Sequence, residues 1–421
     1  MGCAGTKASL EYGFETDAKK AKKINAYFSR LVALEEFNGV VLVYNNTDKV
    51  FESAFNVNPD KTGSSFIDVS SQFDIHSISK LMAKAIIIDM ENRNLLKRSD
   101  SLGKYLSEFP NGDKITIQHL MDNTSGLPRE PNLIGLDKRD LSNDEIIAWA
   151  KKETLEFEPG KGKQYSNVGY EVLYYLIGKL HHTTFTSYLE NQYFPKLEMI
   201  SSGGHFYTKK TNLVNWAQNH QYENGLAQVD NINEYVYKQS MLYSTATDLQ
   251  KFIEHIKQEP YISLLKNNNG IVSWTGGAEG VRSHVQYNVD KDYSFIVLAN
   301  FDDIPLDSIV ETLEKIMEGK SFEMPKAVER TSIFLSEEVL RKYEGTYYFA
   351  EANHLVLEFK VEDSHLTIYQ DGQLLTALMA ENETTFFYDQ SSKESIQFQL
   401  LHPKSQILFD WKGVTLKGIR K

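Results

Sequence analysis

The chain has 421 residues, enough for two domains, and its 41% hydrophobic and 24% charged residues are typical of a soluble globular protein. The formal net charge of −12 argues against nucleic-acid binding, because phosphate recognition needs a basic surface. Eleven scattered histidines, one cysteine and the lack of a His-Glu-x-x-His spacing argue against a metal site, and no glycine-rich phosphate loop is present. We therefore expect neither a metal nor another cofactor.

Residues 1–15 are small and polar and predict an N-terminal tether. The tether contains Cys3, the only cysteine, in a start sequence that is similar to a bacterial lipoprotein after removal of its signal peptide. The same start formally fits an N-myristoylation pattern, and a third alternative is that Cys3 carries no lipid. One thiol cannot form an internal disulfide, so the cysteine count does not tell an oxidising compartment from a reducing one. No apolar segment has the length that a membrane span needs.

Residues 16–319 predict one α+β domain with a helical insert. Helical spacing, strand alternation and turn residues predict its elements. They are a helix over Thr16–Glu36, a hairpin of Gly39–Tyr44 and Val50–Phe55, a helical run over 77–95, helices and loops to about residue 260, strands over 271–300 with turns at Gly276-Gly277 and Asp290-Lys291-Asp292, and a helix over Leu306–Met317. This order predicts an antiparallel sheet flanked by terminal helices, with the insert packed on one side and a site in the groove between them.

Residues 320–335 follow Gly319 and contain Pro325 and a run of charges, and they predict a linker to a second domain over 336–421. That domain alternates apolar and polar residues in short runs. The runs are Tyr343–Tyr348, Leu355–Val361, Leu366–Gln370, Leu374–Met379, Thr385–Tyr388, Ile396–Leu401, Ile407–Trp411 and Val414–Ile419. Eight or so strands in about 80 residues predict a small antiparallel β-barrel.

The most informative motif is Ser77-Ile78-Ser79-Lys80, at the start of the helical run. Lys80 lies three residues after Ser77 and therefore on the same helical face. A serine hydroxyl becomes a nucleophile only with a base in hydrogen-bond reach, and a lysine in a partly desolvated cleft can serve as that base. The helix start adds free N–H groups and positive dipole at the place where an oxyanion would form. The motif thus predicts a nucleophile with its base.

Two further motifs follow in order, Tyr165-Ser166-Asn167 and Trp274-Thr275-Gly276. Alone, none of these short patterns is specific, because Ser-x-x-Lys recurs at Ser101–Lys104 and Ser263–Lys266. The structural alternative for any one match is a helix-capping serine with a solvated lysine. Order and flanking sequence must therefore select the functional match.

With its flanks, the chain resembles the serine β-lactamase and penicillin-binding-protein-like family, in particular the class C β-lactamase and family VIII carboxylesterase branch. The region after the linker resembles the lipocalin-like β-domain that some members carry. The similar segments occur in the family's order and are Phe73–Lys80, Asp100–Leu106, Lys114–Met121, Asn123–Pro128, Phe157–Gly160, Tyr165–Tyr170, Tyr243–Leu249, Trp274–Gly277 and Ile296–Asn300.

The resemblance implies a role for most motif residues. Ser77 would form an acyl-enzyme, while Lys80 and Tyr165 would share the proton transfers. Tyr165 would also activate the water that releases the acyl group. Asn167 would bond to Lys80 or to the acyl group of the substrate. The backbone N–H groups of Ser77 and Gly277 would form the oxyanion hole.

The third motif departs from the family. Thr275 and Gly276 would lie beside the substrate, but many members have Lys or His where this chain has Trp274, and that cation helps to recognise a substrate carboxylate. Trp274 offers an apolar wall instead, as in the family VIII esterases, which favours esters or neutral amides over β-lactams. Two placements of Arg282 stay open, a charge turned into the groove and a solvated strand residue. His76 should point to a neighbouring wall, although it precedes Ser77 directly.

The sequence therefore predicts a serine hydrolase of small-molecule or peptide-like esters or amides, with weak β-lactamase or D-amino-acid peptidase activity as a variant. The alternative is a catalytically weak or inactive surface-displayed binding protein that uses the groove or the barrel. The lipoprotein-like start predicts the cell envelope, periplasmic or surface, with a membrane tether through Cys3. Without a lipid on Cys3 we expect the cytoplasm. The sequence leaves the oligomeric state open.

Overall fold

The structure is a computed structural model that describes residues 15–57, 66–130, 140–204, 214–222, 226–228, 236–237, 241–350, 352, 355–390, 392, 394–401, 404–411 and 414–421. Cys3 and nearly all of the predicted tether lie outside these residues. Within the described ranges, no helix combines the length and the apolar character that a membrane crossing requires.

The first part of the chain contains a helix, a hairpin and a second long helix, as predicted. The boundaries differ from the predicted ones by one to three residues. The elements are α1 (Asp17–Ala33), β1 (Gly39–Asn45), β2 (Asp48–Phe55), β3 (Phe73–Asp74), α2 (Ile78–Asn92), a 3-10 helix (Leu102–Lys104) and α3 (Ile117–Met121).

The insert is mainly helical, with short strands between the helices. Side chains cap four of its helices, since the hydroxyl oxygens of Ser142, Ser166, Thr184 and Thr245 accept hydrogen bonds from the N–H groups of Glu145, Gly169, Ser187 and Asp248. Its elements are β4 (Asp140–Leu141), α4 (Asn143–Ala150), α5 (Asn167–Leu180), α6 (Phe185–Tyr188), a π-helix (Leu189–Tyr193), α7 (Phe194–Lys196), β5 (Gly203–Gly204), β6 (His220–Tyr222), β7 (Leu226–Gln228), β8 (Val236–Tyr237), β9 (Leu242–Ser244), α8 (Ala246–Ile256) and α9 (Tyr261–Leu265).

The chain then returns to the sheet with β10 (Ile271–Ala278), β11 (Val281–Asn288), β12 (Tyr293–Ala299) and α10 (Leu306–Met317). The sheet has five antiparallel strands in the order β10-β11-β12-β1-β2, so β10 is an edge strand. The predicted turn at Gly276-Gly277 is wrong, because both glycines lie inside β10 and the chain turns after Ala278. Asp290–Asp292 forms the turn predicted there.

Strand alternation divides the sheet between two cores. Val41 and Val43 of β1 face α1 and α10, whereas Val40 and Leu42 face α2 and the insert. The second face buries α2 over most of its circumference, and residues 78–83 of that helix are all buried. The Ser77–Lys80 motif therefore begins a helix that is fixed in the middle of the larger core.

The C-terminal region is a closed barrel of eight antiparallel strands in sequence order, as predicted. A short helix, α11 (Glu337–Leu340), and a 3-10 helix (Arg341–Tyr343) precede it. The strands are β13 (Gly345–Phe349), β14 (Leu355–Glu362), β15 (His365–Gln370), β16 (Gln373–Ala380), β17 (Thr385–Phe387), β18 (Ser395–Gln399), β19 (Gln406–Trp411) and β20 (Val414–Arg420).

Aromatic and aliphatic side chains fill one part of the barrel, where Phe386 and Phe398 pack edge to face with ring centroids 5.5 Å apart. Another part encloses a cavity of about 780 Å³. Leu375 and Tyr388 line this cavity and are 53% and 47% exposed, so they lie at its opening.

The segment 320–335 connects the two regions and touches both. The Phe322 ring packs edge-on against Tyr27 of α1, and Arg30 Nε donates to the carbonyl of Pro325 over 3.1 Å. At its other end, Arg330 forms a 2.6 Å ion pair with Glu381 of the barrel. The predicted linker is thus an extended strap with contacts at each end, and the predicted domain boundaries stay predictions.

Candidate active site

Ser77 lies at the turn between β3 and α2, where the chain enters the buried helix. It occupies the N-cap position of α2, and the first turn of the helix contains no acidic residue. His76 has a positive φ of 41°, and its Nε2 lies 3.2 Å from Asp74 Oδ2. The imidazole is therefore held against β3, which agrees with the expected structural placement of His76.

Ser77, Lys80 and Tyr165 meet at this helix start. Lys80 Nζ donates to Ser77 Oγ over 2.9 Å, and Ser77 Oγ lies 2.6 Å from Tyr165 Oη. Because an ammonium can only donate, the single hydroxyl proton of Ser77 is free to point to Tyr165. Lys80 is only 4% exposed, so water competes little for these bonds.

Three cations and three aromatic rings form a continuous row of contacts across the site, and we call them the cation–aromatic row. Lys80 Nζ lies 5.0 Å from the ring centroid of Tyr165 and 5.6 Å from that of Tyr170. Arg129 covers Tyr165 at 5.2 Å. At the other end the Tyr170 ring meets Trp274 edge-on, and Lys84 Nζ lies 5.0 Å over the indole. The row places positive charge along the whole site.

Lys84 lies one helical turn beyond Lys80, on the same face of α2. Burial lowers the pKa of Lys84, Lys163 lowers it further, and Asp122 acts in the opposite direction. Trp274 itself carries no charge, but the Lys84 ammonium of α2 lies against its ring.

Asn167 does not make the expected bond to Lys80. It begins α5, and its Nδ2 donates to Glu130 Oε1 over 2.5 Å. Burial raises the pKa of the Glu130 carboxyl, while the Asn167 hydrogen bond and the charges of Arg129 and Lys80 act in the opposite direction. The carboxylate accepts from the NH₂ group of Asn167 in a charge-assisted hydrogen bond, so Glu130 determines the orientation of the amide.

The edge strand β10 passes directly beside the turn that precedes Ser77. A Cβ atom on Gly276 would lie 2.2 Å from the carbonyl oxygen of Ile75. Ser283 on the neighbouring strand donates to that same oxygen over 3.2 Å. Glycine at 276 therefore serves close approach of two backbones, and this approach brings Gly277 next to the nucleophile turn.

Thr275 points to the opposite face of β10 and begins a chain of hydrogen bonds. Gln286 Nε2 donates to Glu314 Oε1 over 2.6 Å, which turns Gln286 Oε1 toward His284 Nε2 at 3.4 Å. The other nitrogen, His284 Nδ1, is then the acceptor for the Thr275 hydroxyl at 2.8 Å. Burial lowers the pKa of His284 to about 4, so the ring is neutral at pH 7.

Arg282 takes neither of the two expected placements. Its Nη1 donates to the carbonyls of Ala278 and Val281 over 2.8 and 2.9 Å, so the guanidinium closes the turn between β10 and β11. Burial lowers the pKa of Arg282. These bonds turn the charge toward its own loop.

Sequence reasoning missed Glu130, Arg129, Lys84 and His284. Lys84 had a usable signal, because a spacing of four from Lys80 places both on one face of α2. Glu130 and His284 had none, since their partners depend on loop placement and strand register. Among the described residues, no three His, Cys, Asp or Glu side chains form a group that could hold a metal ion.

Comparison with known proteins shows the family of the chain. A model of the beta-lactamase family matches residues 24–270. Penicillin-binding protein 4* of Bacillus subtilis is 24% identical over 93% of this chain and 97% of its own length. Teichoic acid D-alanine hydrolase of Staphylococcus aureus is 26% identical over 60% of this chain and 62% of its own length.

Among solved structures, the octameric penicillin-binding protein homologue of Pyrococcus abyssi has the same overall fold. Its TM-score is 0.61 at 18% sequence identity, and the match covers 95% of this chain and 99% of the homologue. This likeness extends through the C-terminal region, which supports one architecture for both parts of the chain.

Proposed function

The chain belongs to the beta-lactamase family of serine hydrolases, and from that premise we propose that it hydrolyses esters or neutral amides through an acyl-enzyme on Ser77. One observation carries the proposal. Ser77 Oγ is hydrogen-bonded to both Lys80 and Tyr165, at 2.9 and 2.6 Å, so the nucleophile has two proton-transfer partners before any substrate arrives.

In acylation, Ser77 Oγ attacks the carbonyl carbon of the substrate. Tyr165 Oη, which carries a negative charge at the start of this step, accepts the proton that leaves Ser77, while the Lys80 ammonium keeps its hydrogen bond to Ser77 Oγ. The charges of Lys80 and Arg129 over the Tyr165 ring support negative charge on that oxygen. The C–O or C–N bond to the leaving group then breaks, and the leaving group takes up the proton.

The oxyanion forms between the N–H groups of Ser77 and Gly277. One such donor commonly contributes about 3 kcal/mol to lowering the barrier. The close contact of Gly276 with Ile75 supports this role, because it fixes β10 against the nucleophile turn. In deacylation, water attacks the acyl carbon and gives a proton to Tyr165. The bond from the acyl carbon to Ser77 Oγ then breaks, Tyr165 returns the proton to Oγ, and the acid product leaves.

The third motif supports substrates without a carboxylate. Trp274 has no charge, and Arg282 is engaged with its own turn. Lys84 lies against the indole and is largely buried. Its ammonium therefore adds positive electrostatic potential to the site but does not contact a substrate carboxylate directly. A relative named teichoic acid D-alanine hydrolase is consistent with a hydrolase that acts outside β-lactams.

The test is a rapid-mixing experiment with p-nitrophenyl acetate, followed by intact-mass measurement. We expect a burst of about one equivalent of p-nitrophenol and an acetyl adduct on Ser77. Ser77→Ala should abolish the adduct and lower turnover by about 10⁴-fold or more.

Ser79→Ala is the matched control. Ser79 is fully buried and its Oγ bonds to Tyr174 Oη at 2.8 Å, so its removal should lower the free energy of unfolding by about 1 kcal/mol and leave the burst intact. Full turnover by Ser77→Ala would remove Ser77 from the mechanism. No adduct with acetyl esters, penicillins and phosphonates would favour the alternative of a binding protein.

We also propose the cell envelope as the location, with Cys3 as the tether. The sequence around Cys3 supports this proposal. Metabolic labelling with a fatty-acid probe should mark the natural protein and miss a Cys3→Ala variant, and equal labelling of both would contradict the tether.

A further inference from the structure

We propose that the cavity of the C-terminal barrel binds a single-chain amphiphile with a cationic head group. The apolar chain would lie inside the barrel, and the head group would lie at its opening. The proposal does not depend on hydrolysis at Ser77, because every residue that lines the cavity lies in the barrel region, between residues 352 and 409.

The barrel interior contains more space than its own side chains fill. A closed barrel of eight strands is just wide enough for side chains or for one small ligand. Here the cavity measures about 780 Å³, and sites for small molecules commonly measure about 300–1,000 Å³. An apolar space without an occupant leaves its walls without packing partners. A ligand of suitable shape would therefore gain the contacts that the barrel leaves unmade.

The deep walls of the cavity are apolar. Five consecutive strands, β14 to β18, each contribute one buried hydrocarbon or aromatic side chain to the lining. These side chains are Leu357, Ile368, Leu378, Phe386 and Ile396. They offer a ligand dispersion contacts and no hydrogen bond, so a polar group placed among them would lose its hydration without compensation. The interior therefore suits a hydrocarbon chain.

An irregularity in strand pairing shapes the opening. Ile368 pairs with Thr376 and Tyr369 pairs with Leu374, so Leu375 of β16 has no partner residue on β15. A bulge of this kind changes the direction of a side chain and is common at barrel rims. Leu375 lines the cavity and is 53% exposed. It therefore gives the opening an apolar edge on which part of a chain can lie.

The charge at the opening is negative. Among the described residues that line the cavity, only Asp371 and Glu394 are charged. Asp371 lies between β15 and β16 and Glu394 precedes β18, so both lie at the same end of the barrel. Burial raises the pKa of Tyr388 at this opening, and Ser392 lowers it. The charges of Glu394 and Asp303 raise it further.

One described cation also reaches this end of the barrel, but an anion offsets it. Arg330 Nε donates to the carbonyl of Ser392 over 2.8 Å, and the same guanidinium forms a 2.6 Å ion pair with Glu381. The rim therefore keeps a negative charge at Asp371 and Glu394. Such a rim attracts a cationic head group and repels an anionic one.

The test uses the full chain and the fluorescent apolar probe N-phenyl-1-naphthylamine. Decyltrimethylammonium, 1-decanol and decanoate compete for the probe, each below the concentration at which it forms micelles. The three competitors have the same chain length and differ in the charge of the head group. We expect the cation to displace the probe at about a tenfold lower concentration than decanoate, because each exposed ion pair changes affinity severalfold.

A double variant tests the head-group position. Asp371→Asn with Glu394→Gln should bring the concentrations for decyltrimethylammonium and decanoate to within about threefold of each other. Glu358→Gln with Glu362→Gln is the matched control, because it removes the same charge from residues of β14 that do not line the cavity. Solvent and salt screen these two carboxylates from the opening, so the ratio should stay as in the unaltered protein.

A second pair of variants tests the position of the chain. Thr376 lines the cavity opposite Ile368, whereas its near neighbour Leu374 does not line it. Thr376→Trp should fill the upper cavity and weaken all three amphiphiles by about tenfold or more. Leu374→Trp adds the same ring outside the cavity and should change nothing. Calorimetry of the barrel transition shows that each variant is folded.

Each part of the proposal has its own contrary result. Equal displacement by the three amphiphiles, stronger displacement by decanoate, or an unchanged ratio in the folded double variant would overturn the cationic head group. No binding of the probe, or full binding to folded Thr376→Trp protein, would overturn the cavity as a ligand site. Acylation of Ser77 is measured separately, so these results leave the proposed hydrolase function as it is.

Discussion

The region around Ser77 and the C-terminal barrel use burial in opposite ways. Near Ser77, burial encloses charge, with Lys80 at 4% exposure and Lys84 held against an indole. In the barrel, burial encloses apolar rings and a cavity of about 780 Å³ whose lining includes no residue of the catalytic cluster. This cavity therefore lies apart from the candidate active site, which is marked by buried charges with close partners.

The same contrast holds for the histidines that the structure describes. Burial lowers the pKa of four of them, and all four lie before the linker: His181, His220, His255 and His284. In the barrel, His365 is exposed. We therefore expect the two regions to respond differently to acid and to core mutations.

The largest expected effect is on the stability of the barrel. Phe386 is fully buried among Tyr343 and Phe398, so Phe386→Ala should lower the free energy of unfolding of the barrel by about 3–5 kcal/mol. Calorimetry should show a shifted barrel transition, while Ser77 keeps its acylation burst.

Leu374→Ala is the control for that variant. Leu374 is 57% exposed in the same barrel, and its removal should change stability by no more than about 0.5 kcal/mol. A single transition that shifts as a whole, with parallel loss of acylation, would show that the two regions unfold together. It would contradict the expectation that they respond differently to core mutations.

Acid should destabilise the Ser77 region by a comparable amount. The pKa of His284 is about 4 in the folded protein against 6.5 in the unfolded chain, so the unfolded state takes up the proton first. The stabilising contribution is complete above pH 6.5 and is lost as pH falls toward 4, by about 3 kcal/mol. Urea unfolding between pH 7 and 4 measures it.

His284→Asn should flatten this pH dependence, and His365→Asn in the barrel should leave it unchanged. If the barrel transition falls with pH as steeply as the other one, the histidine argument is wrong.

Gly276→Ala should lower the rate by moving β10 relative to Ser77. Its Cβ would lie 2.2 Å from Ile75 O, which must push β10 away from the nucleophile turn. A displacement near 1 Å commonly lowers the rate about 100-fold, and kcat for p-nitrophenyl acetate measures it. Gly319→Ala meets no atom within 4 Å and should strain the backbone only, without lowering kcat.

The smallest expected effect concerns Lys84. Lys84→Met removes the ammonium next to Trp274 and should lower kcat/KM for a neutral ester by about tenfold, through weaker stabilisation of the oxyanion. Lys104→Met removes an exposed ammonium with a similar ring contact, 5.1 Å from Tyr105, and should have no effect. Equal activity of both variants would exclude a role for Lys84 in the reaction.

The fold was predictable wherever one residue type repeats with a fixed period. Barrel strands such as Leu355–Glu362 and Val414–Arg420 match their predicted ranges to within one residue, because one side of each strand faces the apolar interior. The Gly276-Gly277 turn was wrong because glycine also serves close backbone approach.

The site residues that lie in sequence motifs were predictable. The contacts between residues far apart in sequence were not. Ser77, Lys80 and Tyr165 come together as the motifs indicate. The partner of Asn167 and the direction of Arg282 depend on loops and turns that no spacing encodes. Glu130 and His284 belong to the same class of long-range contact.

Barrel closure sets an order of assembly. Seven of its strand pairs join neighbours in sequence, but β13 pairs with β20 through Tyr347–Arg420 and Tyr348–Ile419. While the ribosome extends the chain, β13 therefore keeps an open edge until β20 has been added, and an open edge can pair with another chain. The region around Ser77 can fold earlier. The barrel is therefore the part of the chain that folds last during translation and that needs chaperone protection most.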